Sequence, residues 1–171
     1  PRNGINERTP VKNPKRITRD ISIEIYNPNN SLVATKTGNI AYNSSSGLFT
    51  GTINTGTLNT GNYIVLVSSP GYLKRRLPGV TSLTSGETYK ANRIDLIAGD
   101  INNDNILNIA DYNILADCVY IKTKGKICNQ NASYGTISDL NDNGVKNIYD
   151  YGLLLREIKF QSGDGDSPGG D

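Results

Sequence analysis

Ile21, Ile23 and Ile25 alternate with Ser22, Glu24 and Tyr26, a period of two that predicts a half-buried strand. Asn27-Pro28-Asn29-Asn30 is a turn by composition, and Leu32 to Thr37 is the predicted return strand. Short β-prone stretches follow at Leu48 to Ile53, Tyr63 to Val67, Tyr72 to Leu77, Val80 to Leu83 and Tyr89 to Ile97. Loops and turns rich in Gly, Pro, Ser, Thr or Asn separate them. Tyr63-Ile64-Val65-Leu66-Val67 is nearly all apolar and predicts the central strand. About seven short strands with regular turns predict an all-β, immunoglobulin-like sandwich over residues 21–98.

Beyond Ile97 the period changes. Tyr112, Leu115 and Val119 fall at i, i+3 and i+7; Tyr151, Leu154, Leu155 and Ile158 fall at i, i+3, i+4 and i+7. Each set predicts a helix with one apolar stripe, and two such stripes can cover each other. Residues 99–160 are therefore read as a second, α-helical module. Only Ala98-Gly99 separate Ile97 from Asp100, so the two modules should pack together. Residues 1–20 have no hydrophobic period and read as a basic N-terminal arm; residues 161–171 read as a C-terminal tail.

Ahead of each predicted helix lies the same pattern. Asp100 to Leu115 reads D-I-N-N-D-N-I-L-N-I-A-D-Y-N-I-L, and Asp139 to Leu154 reads D-L-N-D-N-G-V-K-N-I-Y-D-Y-G-L-L, without a gap between them. Oxygen side chains stand at loop positions one, three, five, nine and twelve. They are Asp100, Asn102, Asp104, Asn108 and Asp111, then Asp139, Asn141, Asn143, Asn147 and Asp150. A short loop wrapped round a hard cation needs this spacing. Asn108 and Asn147 could serve as plain helix caps, but capping does not require four further oxygens at fixed spacing twice. A cage of six or seven oxygens suits Ca²⁺ better than Mg²⁺. Position six, a tight left-handed turn, is Gly144 in the second loop and Asn105 in the first, and Asn is the best non-Gly residue there.

A duplicated loop and exiting helix of the form D-x-N-x-D/N-G/N-x-x-N-x-x-D-Y-x-x-L resembles a dockerin domain. A sandwich fused directly ahead of it resembles the X-module–dockerin pairs of cellulosomal scaffolds. The resemblance implies two Ca²⁺ ions. The first would be held by Asp100, Asn102, Asp104, the Ile106 carbonyl, Asn108 and Asp111. The second would be held by Asp139, Asn141, Asn143, the Val145 carbonyl, Asn147 and Asp150. It implies docking onto a cohesin-like domain through positions ten and eleven, here Ile109-Ala110 and Ile148-Tyr149, and an extracellular or cell-surface setting. Three carboxylates in the first loop against two in the second imply tighter Ca²⁺ binding at the first. Position eight, apolar in Leu107, is Lys146 in the second loop, which bears on how the loops pack.

The formal charge of +2 hides an asymmetry: residues 1–99 hold 12 Lys/Arg against 5 Asp/Glu, and residues 100–171 hold 6 against 11. Six of the twelve basic residues lie in the first 19 positions, so the excess belongs to the arm and no nucleic-acid partner is expected. Lys74-Arg75-Arg76 reads as a solvated edge that discourages sheet-to-sheet pairing. No run of about 18 apolar residues is present, so no membrane insertion is expected. The absence of Met and the start at Pro1 suggest a processed product or a fragment. Cys118 and Cys128 are expected to close a disulfide, as suits a secreted calcium protein. With no His and no activated nucleophile, no catalysis is expected. An alternative to receptor docking is a calcium-stabilised fibre or surface layer of copies of this chain. In that case the basic arm would engage the neighbouring subunit.

Overall fold

The computed structural model describes residues 13–120 and 132–160. Seven strands come first: β1 (Thr18–Tyr26), β2 (Leu32–Asn43), β3 (Leu48–Thr50), β4 (Gly61–Ser69), β5 (Gly71–Arg76), β6 (Thr81–Leu83) and β7 (Ala98–Asp100). Three helices follow: α1 (Ile109–Tyr120), α2 (Ala132–Ile137) and α3 (Ile148–Phe160). The strands run β3-β2-β1-β4-β5-β7, with β6 paired to the start of β4, and every pairing is antiparallel.

The β1–β2 hairpin turns at Asn27, whose side-chain oxygen accepts the N–H groups of Asn29 and Ser31 at 3.0 and 2.9 Å. This is how an Asn-rich turn satisfies its backbone. The central position goes to β1 and β4. Residues 63–66 of β4 are buried without interruption, as expected of an apolar strand with neighbours on both sides. Ile25, Tyr63, Val65 and Leu77 form the core on one face, joined by the partly buried Ile23, Leu58 and Ile94.

Two expectations need correction. Residues 84–97 contain no strand; in place of the strand expected at Tyr89 to Ile97, a three-residue strand forms just after it, at Ala98–Asp100. Lys90-Ala91-Asn92-Arg93 offers no apolar alternation, so this stretch has little to bury. Within it, Ile94 and Ile97 pack on hydrophobic cores, and on different ones. The arm is also shorter than expected, because β1 begins at Thr18 and Arg19 is already buried within it.

Strand β5 joins the two parts of the chain. Successive strand residues point to opposite faces. Tyr72 faces Arg19, whose guanidinium lies 5.9 Å from the ring centre. Leu73 turns the other way into the helical core of Ile101, Leu107, Leu115, Ile137, Leu140, Leu153 and Leu154. β7 then lies on β5, with Gly71 opposite Asp100 and Tyr72 opposite Ala98, and the Leu73 N–H donates to the Ile97 carbonyl at 2.8 Å. Gly71 (φ 83°) permits this approach, since a Cβ there would stand 2.5 Å from the Ile137 methyl.

The apolar stripes are present with one exchange. Leu115 and Leu154 are fully buried, and Tyr112, Tyr151 and Ile158 pack on the same core. Leu155 is exposed, and Leu153 is buried in its place. The Val119 side chain lies outside the described residues. α2, which no periodicity announced, supplies Ile137.

Leu73→Ala should cost about 2–5 kcal/mol, the usual range for emptying a close-packed Leu site. Urea unfolding followed by helical circular dichroism and by tyrosine fluorescence should show both signals shifting together. A loss below about 1 kcal/mol, or movement of one signal alone, contradicts a core shared between β5 and the helices.

Candidate metal centre

Both predicted loops form, and their backbone N–H to side-chain oxygen bonds repeat from Asp100 to Asp139. In the first, the Asp100 carboxylate accepts the N–H groups of Asp104 and Asn105, both at 3.0 Å. In the second, Asp139 accepts those of Asn143 and Gly144 at 3.1 and 2.7 Å. Asn102 Oδ1 takes the Asp104 N–H, as Asn141 Oδ1 takes that of Asn143. Asp104 takes the Ile106 N–H, as Asn143 takes that of Val145. Positions four and six are left-handed in both loops: Asn103 (φ 58°), Asn105 (φ 66°), Asp142 (φ 57°) and Gly144 (φ 86°). Two turns sharing only a helix cap would not reproduce this whole path.

Each loop closes on the third residue of its helix. Asp111 is fully buried; Oδ1 accepts from Ile101 (2.7 Å) and Asn102 (3.3 Å), and Oδ2 from Asn108 (3.1 Å). Asp150, equally buried, repeats this with Leu140 (2.9 Å), Asn141 (3.2 Å) and Asn147 (2.9 Å). Each carboxylate thereby draws the helix start against the loop start, the approach that a short Asp at position twelve requires. Asn108 and Asn147 cap the helices, with Oδ1 accepting from Ala110 at 2.6 Å and from Tyr149 at 2.8 Å. A residue so engaged can reach an ion through water.

The electrostatics suit a cation. Asp100 is pushed up to about 6, first by burial and then by the charges of Asp111 and Asp104. Burial also raises Asp111, and it raises Asp150, with Asp139 adding to the latter. Among the described residues no Lys or Arg pairs with Asp100, Asp104 or Asp111. Among those residues, too, no three His, Cys, Asp or Glu side chains make a metal group by themselves. A cation here would need the Asn amides and the carbonyls of Ile106 and Val145 as well as the carboxylates. The residues present fit such a mixed oxygen set.

The departures at positions six and eight have local partners. Asn105 Oδ1 accepts the N–H of Lys74 in β5 at 2.7 Å, and Asn103 Oδ1 accepts that of Gly71 at 2.8 Å. A Gly at position six could not do this. Leu107 is in the helical core, whereas Lys146 donates to the Gly135 carbonyl of α2 at 3.0 Å. Lys74 also pairs with Glu24 at 2.7 Å, so its charge has a partner on β1.

Sequence reasoning missed Asp142, at position four of the second loop. It is buried, and its carboxylate receives the Arg16 backbone N–H, Arg16 Nε at 2.9 Å and Arg19 Nη2 at 2.7 Å. An acidic residue at a left-handed position outside the ligand pattern was the signal available. The surface residues are clearer: Ile109 and Ile148 are each 67 % exposed, Tyr149 is 59 % exposed, and Ala110 is half-buried. Cys118 is buried and is not a free thiol; Cys128 lies outside the described residues.

No protein-family model matches this chain, and no curated protein matches it. Among solved structures, it is similar to a chain of a type II cohesin–X-dockerin complex from Acetivibrio cellulolyticus, a C-terminal interface mutant. Identity is 17 % and the TM-score 0.46, over 90 % of this chain and 89 % of that one.

Asp111→Ala and Asp150→Ala, each measured in chelator, should destabilise by at least about 2 kcal/mol, because buried N–H groups lose a charged acceptor. Losses below about 0.5 kcal/mol in urea unfolding contradict the closing role given to these carboxylates.

Proposed function

We propose that this chain is a non-catalytic, extracellular calcium-binding assembly module, which docks onto a cohesin-like partner and so attaches its parent protein to a scaffold or cell surface. In this reading residues 21–98 form an immunoglobulin-like or X-module-like sandwich, and residues 99–160 form a dockerin-like pair of calcium loops. The observation that carries it is the duplication itself: two loops with oxygen side chains at the same five positions, the same left-handed positions and matching backbone N–H bonds.

The first loop would hold Ca²⁺ through Asp100, Asn102, Asp104, the Ile106 carbonyl, Asn108 and Asp111. The second would use Asp139, Asn141, Asn143, the Val145 carbonyl, Asn147 and Asp150. A bound ion would offset the repulsion that crowds Asp100, Asp104 and Asp111. The first loop, with one carboxylate more, is the tighter site. Cys118, near the end of α1, and Cys128 would form a disulfide.

Ile109 and Ile148 occupy equivalent positions and face solvent, and Tyr149 stands beside the second. Large apolar side chains repeated at the start of two helices, outside the shared core, suit a protein partner. The fibre alternative relies on the basic arm reaching a neighbour. The described end of that arm lies on this chain's own second loop, so docking is the better-supported reading.

The test is capture of the purified chain by immobilised type II cohesin domains in millimolar Ca²⁺ and in EDTA, with light scattering of the free chain. A compact monomer with Ca²⁺-dependent capture is expected. Ile109→Asp with Ile148→Asp should weaken capture at least tenfold. Calcium-dependent filaments without capture would replace docking with the fibre reading.

A further inference from the structure

Lys15 and Arg16, just before β1, are tied to the second loop through their backbone N–H groups and the Arg16 side chain. The Lys15 N–H donates to the Asp142 carbonyl at 3.0 Å. The Arg16 N–H donates to the Asp142 carboxylate, and the Arg16 side chain reaches Asp142 Oδ1 at 2.9 Å and the Asp139 carbonyl at 3.2 Å. Arg19, 8 % exposed, completes the clamp at 2.7 Å and lays its guanidinium 5.0 Å from the Phe49 ring centre. The Lys15 stem passes 3.1 Å from where a Gly144 Cβ would stand. Arg16 thus spans positions one and four of the loop, and Lys15 covers position six.

We infer that this segment is a latch that sets the cation affinity of the second loop, with Arg16 and Arg19 as positioning residues acting through Asp142. The inference rests on the calcium reading above. Asp142 holds a left-handed conformation that a non-glycine residue adopts at a cost. Its carboxylate is buried and tolerable only while paired. With the latch in place, the first half of the loop is already folded, so less ordering remains to oppose ion binding. Without it, Asp142 is unpaired and its turn is free to relax. Two guanidinium groups also add positive charge near a cation site. One is offset by Asp142 itself, and none is bonded to a carboxylate of the proposed ligand set, so preorganisation outweighs repulsion. The first loop has its own anchors, Asn103 and Asn105 on β5, and does not depend on the latch.

Binding linkage is reciprocal. Ca²⁺ in the second loop must therefore tighten the latch, which carries trypsin-cleavable bonds after Lys15, Arg16 and Arg19.

The test uses two single-site chains, the first loop disabled by Asp111→Asn or the second by Asp150→Asn, each checked for fold by circular dichroism. Ca²⁺ affinity is measured by calorimetry with and without Arg16→Gln/Arg19→Gln, and separately with Asp142→Asn. Binding to the second loop should weaken roughly tenfold, and binding to the first should change less than twofold. In the unsubstituted chain, Ca²⁺ should slow tryptic cleavage after Lys15 and Arg16 by a similar factor. Equal weakening at both loops, no change, or tighter binding at the second overturns the latch while two ions still bind. Absence of any Ca²⁺ binding by the unsubstituted chain overturns the calcium reading and the latch with it.

Discussion

The N–H groups of Gly71 and Lys74 end on the side-chain oxygens of Asn103 and Asn105. β7 is only three residues long and cannot serve the whole of β5. Buried or half-buried backbone donors need acceptors, and here a loop provides them where a strand would normally run. The consequence is structural: the path of the first loop is fixed by the sheet, and this edge of the sheet is completed by the loop. Leu73 adds an apolar contact at the same place, so β5 takes part in the sheet, the loop and the helical core together.

The two loops reach the β part differently. The first uses Asn side chains on β5, and the second uses Asp142 on the segment that leads into β1. Both use position four, which is left-handed in each loop and whose side-chain oxygens accept from Gly71 in the first and from Arg16 and Arg19 in the second. A position outside the one, three, five, nine and twelve pattern can thus be kept for anchoring. Within each loop, the closing Asp links helix start to loop start. Each helix start is therefore bonded to its loop, and each loop to the sheet or the arm.

Much of this was legible in the residues. The period-two run at Ile21–Tyr26, the apolar run at Tyr63–Val67 and the gapless repeat at Asp100 and Asp139 all correspond to elements that form. Local pattern specifies local structure, and the duplication specified the same path twice. Where reading failed, the deciding contact was distant in sequence. Residues 89–97 are β-prone in places, but strand pairing with β5 begins only at Ala98. Arg16 and Arg19 read as an arm because nothing nearby holds them; Asp142, more than a hundred residues away, does. Leu153 and Leu155 exchanged places because a helix of 13 residues leaves the edge of its stripe to its neighbours. Asn105 read as a tolerated substitute for Gly, whereas its side chain has its own partner on β5.

Amide hydrogen exchange at Gly71 and Lys74, compared in millimolar Ca²⁺ and in EDTA, tests most directly whether the first of the duplicated loops, as the proposed Ca²⁺ site, and the sheet form one unit. Ca²⁺ should slow both amides together with Asp104 and Asn105 of the loop. Exchange at Gly71 and Lys74 that stays the same while the loop amides slow would show that the loop binds its ion without gripping the sheet, and would contradict this account.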